Sequence, residues 1–134
     1  MKLLLDTHIL LWAIANDGRL SPRARRLIED RDNEVFYSVV CPWEVQIKHQ
    51  NHPDKLSLDA QRLVDYCQRS GFRQVPVQLS HVLALAGLKR PASAPPRHDP
   101  FDRIMICQAT AENMLLLTHD ARLADYDSPC VFPV

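Results

Sequence analysis

The chain has 134 residues, 46% of them hydrophobic, which predicts a single domain over 1–134 that needs neither disulfide nor structural metal to fold. Sixteen Lys and Arg balance sixteen Asp and Glu, excluding a polybasic tail and an acidic disordered segment, though not a local basic patch. Cys41, Cys67, Cys107 and Cys130 show no C-x-x-C or zinc spacing. No apolar run reaches the length of a membrane span, and no signal-peptide pattern opens the chain, so a reducing, cytoplasmic setting is expected.

Lys2 to Leu5 reads as a short buried strand that Asp6-Thr7 breaks. Ile9, Leu10, Trp12, Ala13 and Ile14 then recur at helical spacing until Asp17-Gly18. Ser21-Pro22 has the form of an N-cap with proline at the first helical position, opening a helix to about Arg31. Glu34 to Ser38 is a second strand, followed by a helix near Pro42 carrying Trp43, Val45 and Ile47. After a polar turn over 51–58, Asp59 caps a helix through Gln68 that Ser70-Gly71 ends. Phe72 to Val77 is a third strand, placed at an edge by Pro76. Ser80 is expected to cap a short helix through Leu88, and Lys89 to Arg97 is a proline-bearing loop. Pro100 starts the strongest helix, through Asn113; Met114 to Leu117 is a fourth apolar strand; Ala121 to Tyr126 is a helical turn or two, and Cys130 to Phe132 a last strand. Strands alternating with helices predict an α/β fold, a sandwich whose central, mostly parallel sheet is flanked by helices.

Sites in such sheets form beyond the carboxyl ends of the strands. Asp6 ends the first strand and Asp120 follows the fourth; Asp99 and Asp102 flank the start of the strongest helix; Glu44 lies early on the helix after the second strand. Carboxylates gathered at one edge repel one another unless protonated or neutralised. A hard cation such as Mg²⁺ or Mn²⁺ resolves that repulsion, acidifies water and neutralises charge on a phosphoryl oxygen, which points to phosphodiester hydrolysis. Each acid also has a local reading: Asp99 and Asp120 as helix caps, Asp102 as a first-turn dipole partner, Glu44 as the i,i+4 partner of Lys48, Asp6 as a turn residue.

His8, His98 and His119 each neighbour an acid, as outer contacts or as ordinary polar residues. The hydroxyls of Thr7 and Ser38 are candidates for orienting water. Arg97 and Arg103 flank the acidic pair and are candidate phosphate contacts, with Lys48 as a further substrate contact. Arg19, Arg23, Arg25, Arg26 and Arg31 form either a track along a nucleic-acid backbone or a solvated face.

Four stretches carry a resemblance: Leu3 to His8 with Leu10, Leu11 and Trp12; Trp43-Glu44-Val45 with Ile47-Lys48; His98-Asp99-Pro100-Phe101-Asp102-Arg103 with Ile106 and Gln108-Ala109; and Leu117-Thr118-His119-Asp120. In order and spacing the chain resembles the PIN-domain family along nearly its whole length, and more narrowly the VapC-type toxins of toxin–antitoxin pairs. The resemblance implies a Mg²⁺- or Mn²⁺-dependent endoribonuclease. It puts Asp6, Glu44, Asp102 and Asp120 on the family's acidic positions and Asp99 on the extra acid of one subgroup. It also implies a homodimer, an RNA substrate, and a VapB-type antitoxin that occupies the acidic groove and through which operator DNA is bound. Cys41-Pro42 departs from the pattern, because a small or hydroxyl residue usually precedes an apolar one there. The rival readings are a catalytically silent PIN-like module that binds RNA or protein, a phosphoryl-receiver domain, and a structure-specific DNA nuclease. A receiver would need a lysine at the end of a late strand, and no lysine follows Lys89.

Overall fold

The computed structural model describes residues 1–92 and 99–134. Five strands form one parallel sheet: β1 (Lys2–Leu5), β2 (Glu34–Ser38), β3 (Arg73–Val75), β4 (Leu115–Thr118) and β5 (Val131–Pro133). Six helices connect them: α1 (Thr7–Ala15), α2 (Pro22–Glu29), α3 (Val40–Asn51), α4 (Ala60–Arg69), α5 (Leu79–Ala84) and α6 (Pro100–Ala111), with 3-10 turns at Leu85–Gly87 and Ala121–Asp125. The expected α/β sandwich is therefore the observed one.

The sheet order is β3-β2-β1-β4-β5. The chain walks outward from β1 through β2 to β3, then returns to the other side of β1 for β4 and β5. Right-handed crossovers put the helices of the two walks on opposite faces. The order reverses between β1 and β4, whose partners run from Leu3↔Leu115 to Leu5↔Leu117, and the crevice beyond the carboxyl ends of these two strands is the place such sheets reserve for chemistry. Leu3, Leu4, Leu5, Leu116 and Leu117 are fully buried, as strands covered on both faces require. Ile9, Leu10, Met105 and Ile106 pack onto them from α1 and α6.

Several boundaries shift for local reasons. Helix α2 ends at Glu29, two residues before the expected Arg31, where Asp30 turns extended. Helix α3 starts at Val40, placing Pro42 inside its first turn rather than at its start; a proline there forfeits no helical hydrogen bond. Strand β3 keeps only 73–75 of the expected 72–77. The cap of α5 is Gln78, not Ser80. The amide of Gln78 donates to His81 Nδ1 at 3.0 Å, and His81 in turn donates from Nε2 to Glu112 on the C-terminal boundary of α6 at 3.1 Å. Gln108 of α6, fully buried, donates to the carbonyls of Val75 and Pro76 at 3.2 and 3.1 Å and so ties the end of β3 to that helix. All four cysteines are free, and Cys41, Cys67 and Cys107 are buried as small apolar groups. No helix among the described residues is long and apolar enough to cross a membrane.

Candidate active site

Asp6 follows β1 directly. Its backbone amide continues the ladder by donating to Leu117 O at 3.0 Å. Its carboxylate caps α1, accepting from the Ile9 amide at 2.8 Å. It also accepts from the Thr118 hydroxyl and the His119 amide, with the His8 imidazole nearby. Each of these favours the charged form, yet burial outweighs them and raises the carboxyl above its ordinary range. Thr118 is a bridge that the sequence did not announce: besides Asp6, its Oγ1 serves the Asp120 amide at 3.0 Å. One hydroxyl thus fixes a carboxylate from β1 and the chain turn that carries a second. The signal available in the sequence was a threonine ending an apolar strand two residues before an aspartate.

Glu44 reaches the same place from α3. It is buried, its Oε2 has no hydrogen-bond partner, and Lys48 Nζ lies 3.7 Å from that atom. The i,i+4 pair anticipated between these residues is real, but one of its members is buried. The Cys41 thiol lies within electrostatic reach of both Asp6 and Glu44. Burial pushes it up to about 12, and the negative charges of Glu44 and Asp6 act in the same direction. The Thr7 hydroxyl contacts Cys41 Sγ at 3.4 Å, and Met105 Sδ lies 3.9 Å from it on the other side. Met105 is one helical turn after Asp102, so this buried column joins α1, α3 and α6 beneath the acids. Cys41 occupies the place where a hydroxyl was expected. Ser38 Oγ is fully buried and accepts the Val40 amide at 3.2 Å, closing the start of α3.

Asp99 caps α6 through Oδ1, which accepts from the Phe101 amide at 2.9 Å and the Asp102 amide at 3.4 Å. Asp102 stands in the first turn of α6, where the helix dipole favours its charge. Asp120 caps the following 3-10 turn and is gripped by Arg122, whose Nε lies 3.1 Å from Oδ1 and whose second guanidinium nitrogen lies 3.2 Å from Oδ2. Arg103 turns toward the Leu85 carbonyl at 3.4 Å and the Tyr126 ring, bracing the 3-10 turn after α5. Arg97 and His98, the other expected contacts beside Asp99, lie outside the described residues. In the basic group, Arg19 pairs with Asp17 and lies over Trp12, Arg23 lies over Phe132, and Arg25 bonds Asn16. These three have local structural partners.

The donor set is oxygen-only, two of its carboxylates are buried, and one carboxylate oxygen is orphaned. Those are the features that fit a hard divalent cation. Among the described residues no three acidic, imidazole or thiol groups converge closely enough to form a ready-made cage.

The family model described as PIN domain matches residues 3–129. The chain belongs to the PIN-domain family. This PIN domain is 26% identical over 126 residues to a protein of Mycobacterium tuberculosis (strain H37Rv) named ribonuclease VapC22, covering 94% of this chain and 92% of that one. Its fold is similar to that in a crystal structure of VapBC2 from Rickettsia felis bound to a DNA fragment from their promoter, with a TM-score of 0.66 at 17% identity and coverage of 100% and 98%. At that identity the second likeness speaks for the PIN fold, and it does so over the whole chain.

Proposed function

We propose that this PIN domain is a metal-dependent endoribonuclease, the toxin of a VapBC-type pair, held inactive by a VapB-type antitoxin. The observation that carries the reading is the placement of Asp6 and Glu44. Two carboxylates from distant parts of the chain are buried against one thiol at the sheet's switch point, one with its acidity suppressed and the other with an orphaned oxygen. Such a pair costs stability, and buried carboxylates left short of hydrogen bonds are retained where a ligand of opposite charge completes them.

Asp6, Glu44 and Asp102 are assigned to hold the ion, with Asp99 supporting α6 and contributing directly or through water. Asp120 holds the hydrated shell or a second ion once Arg122 yields it. Mg²⁺ or Mn²⁺ bound there supplies charge that acidifies water and neutralises the phosphoryl oxygen. The residues themselves orient: Thr118 fixes Asp6 against the Asp120 turn, Thr7 is locked by Cys41, and Lys48 offers a cation to the substrate backbone. RNA is the substrate class, in keeping with the name of the M. tuberculosis relative. The homodimer, the cytoplasmic setting and contact with operator DNA through the antitoxin belong to the same proposal.

The test is cleavage of total cellular RNA by the purified chain freed of any antitoxin, with Mg²⁺, with Mn²⁺, and with EDTA. Discrete metal-dependent cuts that vanish in Asp6→Asn establish the nuclease. Divalent metal that raises the melting temperature without any cleavage establishes instead the silent RNA- or protein-binding module.

A further inference from the structure

Trp43 has no part in the chemistry above, and it is the most conspicuous aromatic on the surface. It is 61% exposed, whereas tryptophan normally hides most of its area. It immediately precedes Glu44 on α3. Its ring meets Phe101 edge-to-face, with centroids 5.0 Å apart and planes at 89°. Phe101 immediately precedes Asp102 on α6 and packs on the core. Two aromatics from separate helices therefore support each other, each one residue from an acid assigned to the reaction. An edge-to-face contact engages at most one face of the indole and holds the ring in place without covering it.

We propose that Trp43 is a binding residue of the active site, a stacking platform for an unpaired RNA base next to the scissile phosphate. The inference rests on the ribonuclease reading and adds to it a determinant of where along the RNA the acids act. The Trp43–Phe101 contact joins α3 and α6 at the positions next to Glu44 and Asp102, and consecutive Cα atoms are about 3.8 Å apart, so a strand whose phosphodiester meets these acids passes within about a nucleotide's length of this fixed π-surface. Single strands are held by such stacking, which is tolerant of sequence. Phe101 presets the ring, so little side-chain freedom is lost on binding. Lys48, one turn beyond Glu44 on α3, supplies a cation for the backbone.

The probe is a fluorescein-labelled single-stranded oligoadenylate, read by anisotropy in EDTA so that binding is separated from cleavage. Cleavage of total RNA in Mn²⁺ is measured in parallel. Trp43→Ala is expected to weaken binding roughly tenfold and to raise KM with kcat nearly unchanged, while Trp43→Phe recovers most of the affinity. Melting temperatures of both variants near that of the wild type show that the fold is intact. If the wild type cleaves RNA and Trp43→Ala binds the oligonucleotide as tightly as the wild type, the platform is refuted and the nuclease stands. Trp43-dependent binding by a chain that cleaves nothing leaves the platform standing and removes the nuclease. A wild type that binds no oligoadenylate overturns the platform whatever it cleaves. Loss of binding in Trp43→Ala that tracks a change from dimer to monomer in sedimentation also overturns it, because the indole is then a contact between copies of the chain.

Discussion

His81 and Asp6 are both buried polar side chains, 0% and 4% exposed, and the fold treats them in opposite ways. At the seam of α5 and α6, His81 has a partner for each ring nitrogen: the Gln78 amide on Nδ1 and the Glu112 carboxylate on Nε2. At the switch point of the sheet, Asp6 is surrounded by donors and still has its carboxyl pushed up by burial, and Glu44 Oε2 is buried without a hydrogen bond. The seam is a finished polar contact that stabilises. The switch point is an unfinished one, and a fold keeps such a place where something outside the chain completes it. Stability and activity should therefore respond in opposite senses to substitution in the two regions.

The largest effect is expected at the unfinished end. Asp6→Asn and Asp102→Asn remove charge at constant volume and should take RNA cleavage below detection. Circular dichroism should show both folded, since Asn at position 6 still caps α1 and Asp99 still caps α6 in the other variant; loss of the fold at room temperature would overturn the assignment. Next comes His81→Ala, which leaves the Gln78 amide and Glu112 unpaired beside a cavity. A loss of about 2–4 kcal/mol is expected in urea unfolding, with cleavage per folded molecule unchanged. A variant that lost activity as fully as Asp6→Asn would erase the contrast.

Asp6→Asn should also raise the melting temperature at neutral pH. A carboxyl whose folded pKa lies above its unfolded value contributes stability in the protonated form, a contribution present below about pH 4 and lost as pH rises through the folded value. The advantage of the Asn variant should thus shrink as pH falls toward 4, as melts across a pH series would show; an advantage that grows on acidification refutes the burial account. The smallest effect belongs to Arg122→Ala. Removing the Arg122 contact from the part-exposed Asp120 carboxylate should lower the Mg²⁺ concentration for half-maximal cleavage by about threefold, a modest change because exposed ion pairs are weak. A higher requirement would mean that Arg122 positions Asp120 for the ion instead of withholding it.

The seam and the switch point were not equally legible. Helix starts were readable because their chemistry is local: Ser21-Pro22, Asp59 and Asp99-Pro100 cap the helices that they were expected to cap. So were the apolar strands, since Leu3 to Leu5 and Leu115 to Leu117 admit little else. From strand ends and the PIN resemblance, five acids were named, and the fold places Asp6 and Asp120 beyond adjacent strands. What escaped was set by partners far along the chain. Ser80 was expected to cap α5, but the cap is Gln78 with His81, whose other ring nitrogen is held by the distant Glu112. Glu44 was named among the acids, but its burial was not legible, because nothing nearby in sequence shows that Thr7 and Met105 pack on its neighbour Cys41. The contacts of Arg103 with Tyr126 and the Leu85 carbonyl were likewise hidden, because both partners lie far from it in sequence.

The two rims of the sheet carry one more consequence. An open parallel sheet ends in two unpaired ladders, each a template for another chain. Here those rims, β3 and β5, are the shortest strands, three residues each, and β5 includes Pro133 while Pro76 follows β3 directly. Proline offers no amide to a docking strand. The folded molecule is therefore a poor seed for strand-on-strand polymerisation even when concentrated, and aggregation of this protein should begin from molecules that have already opened.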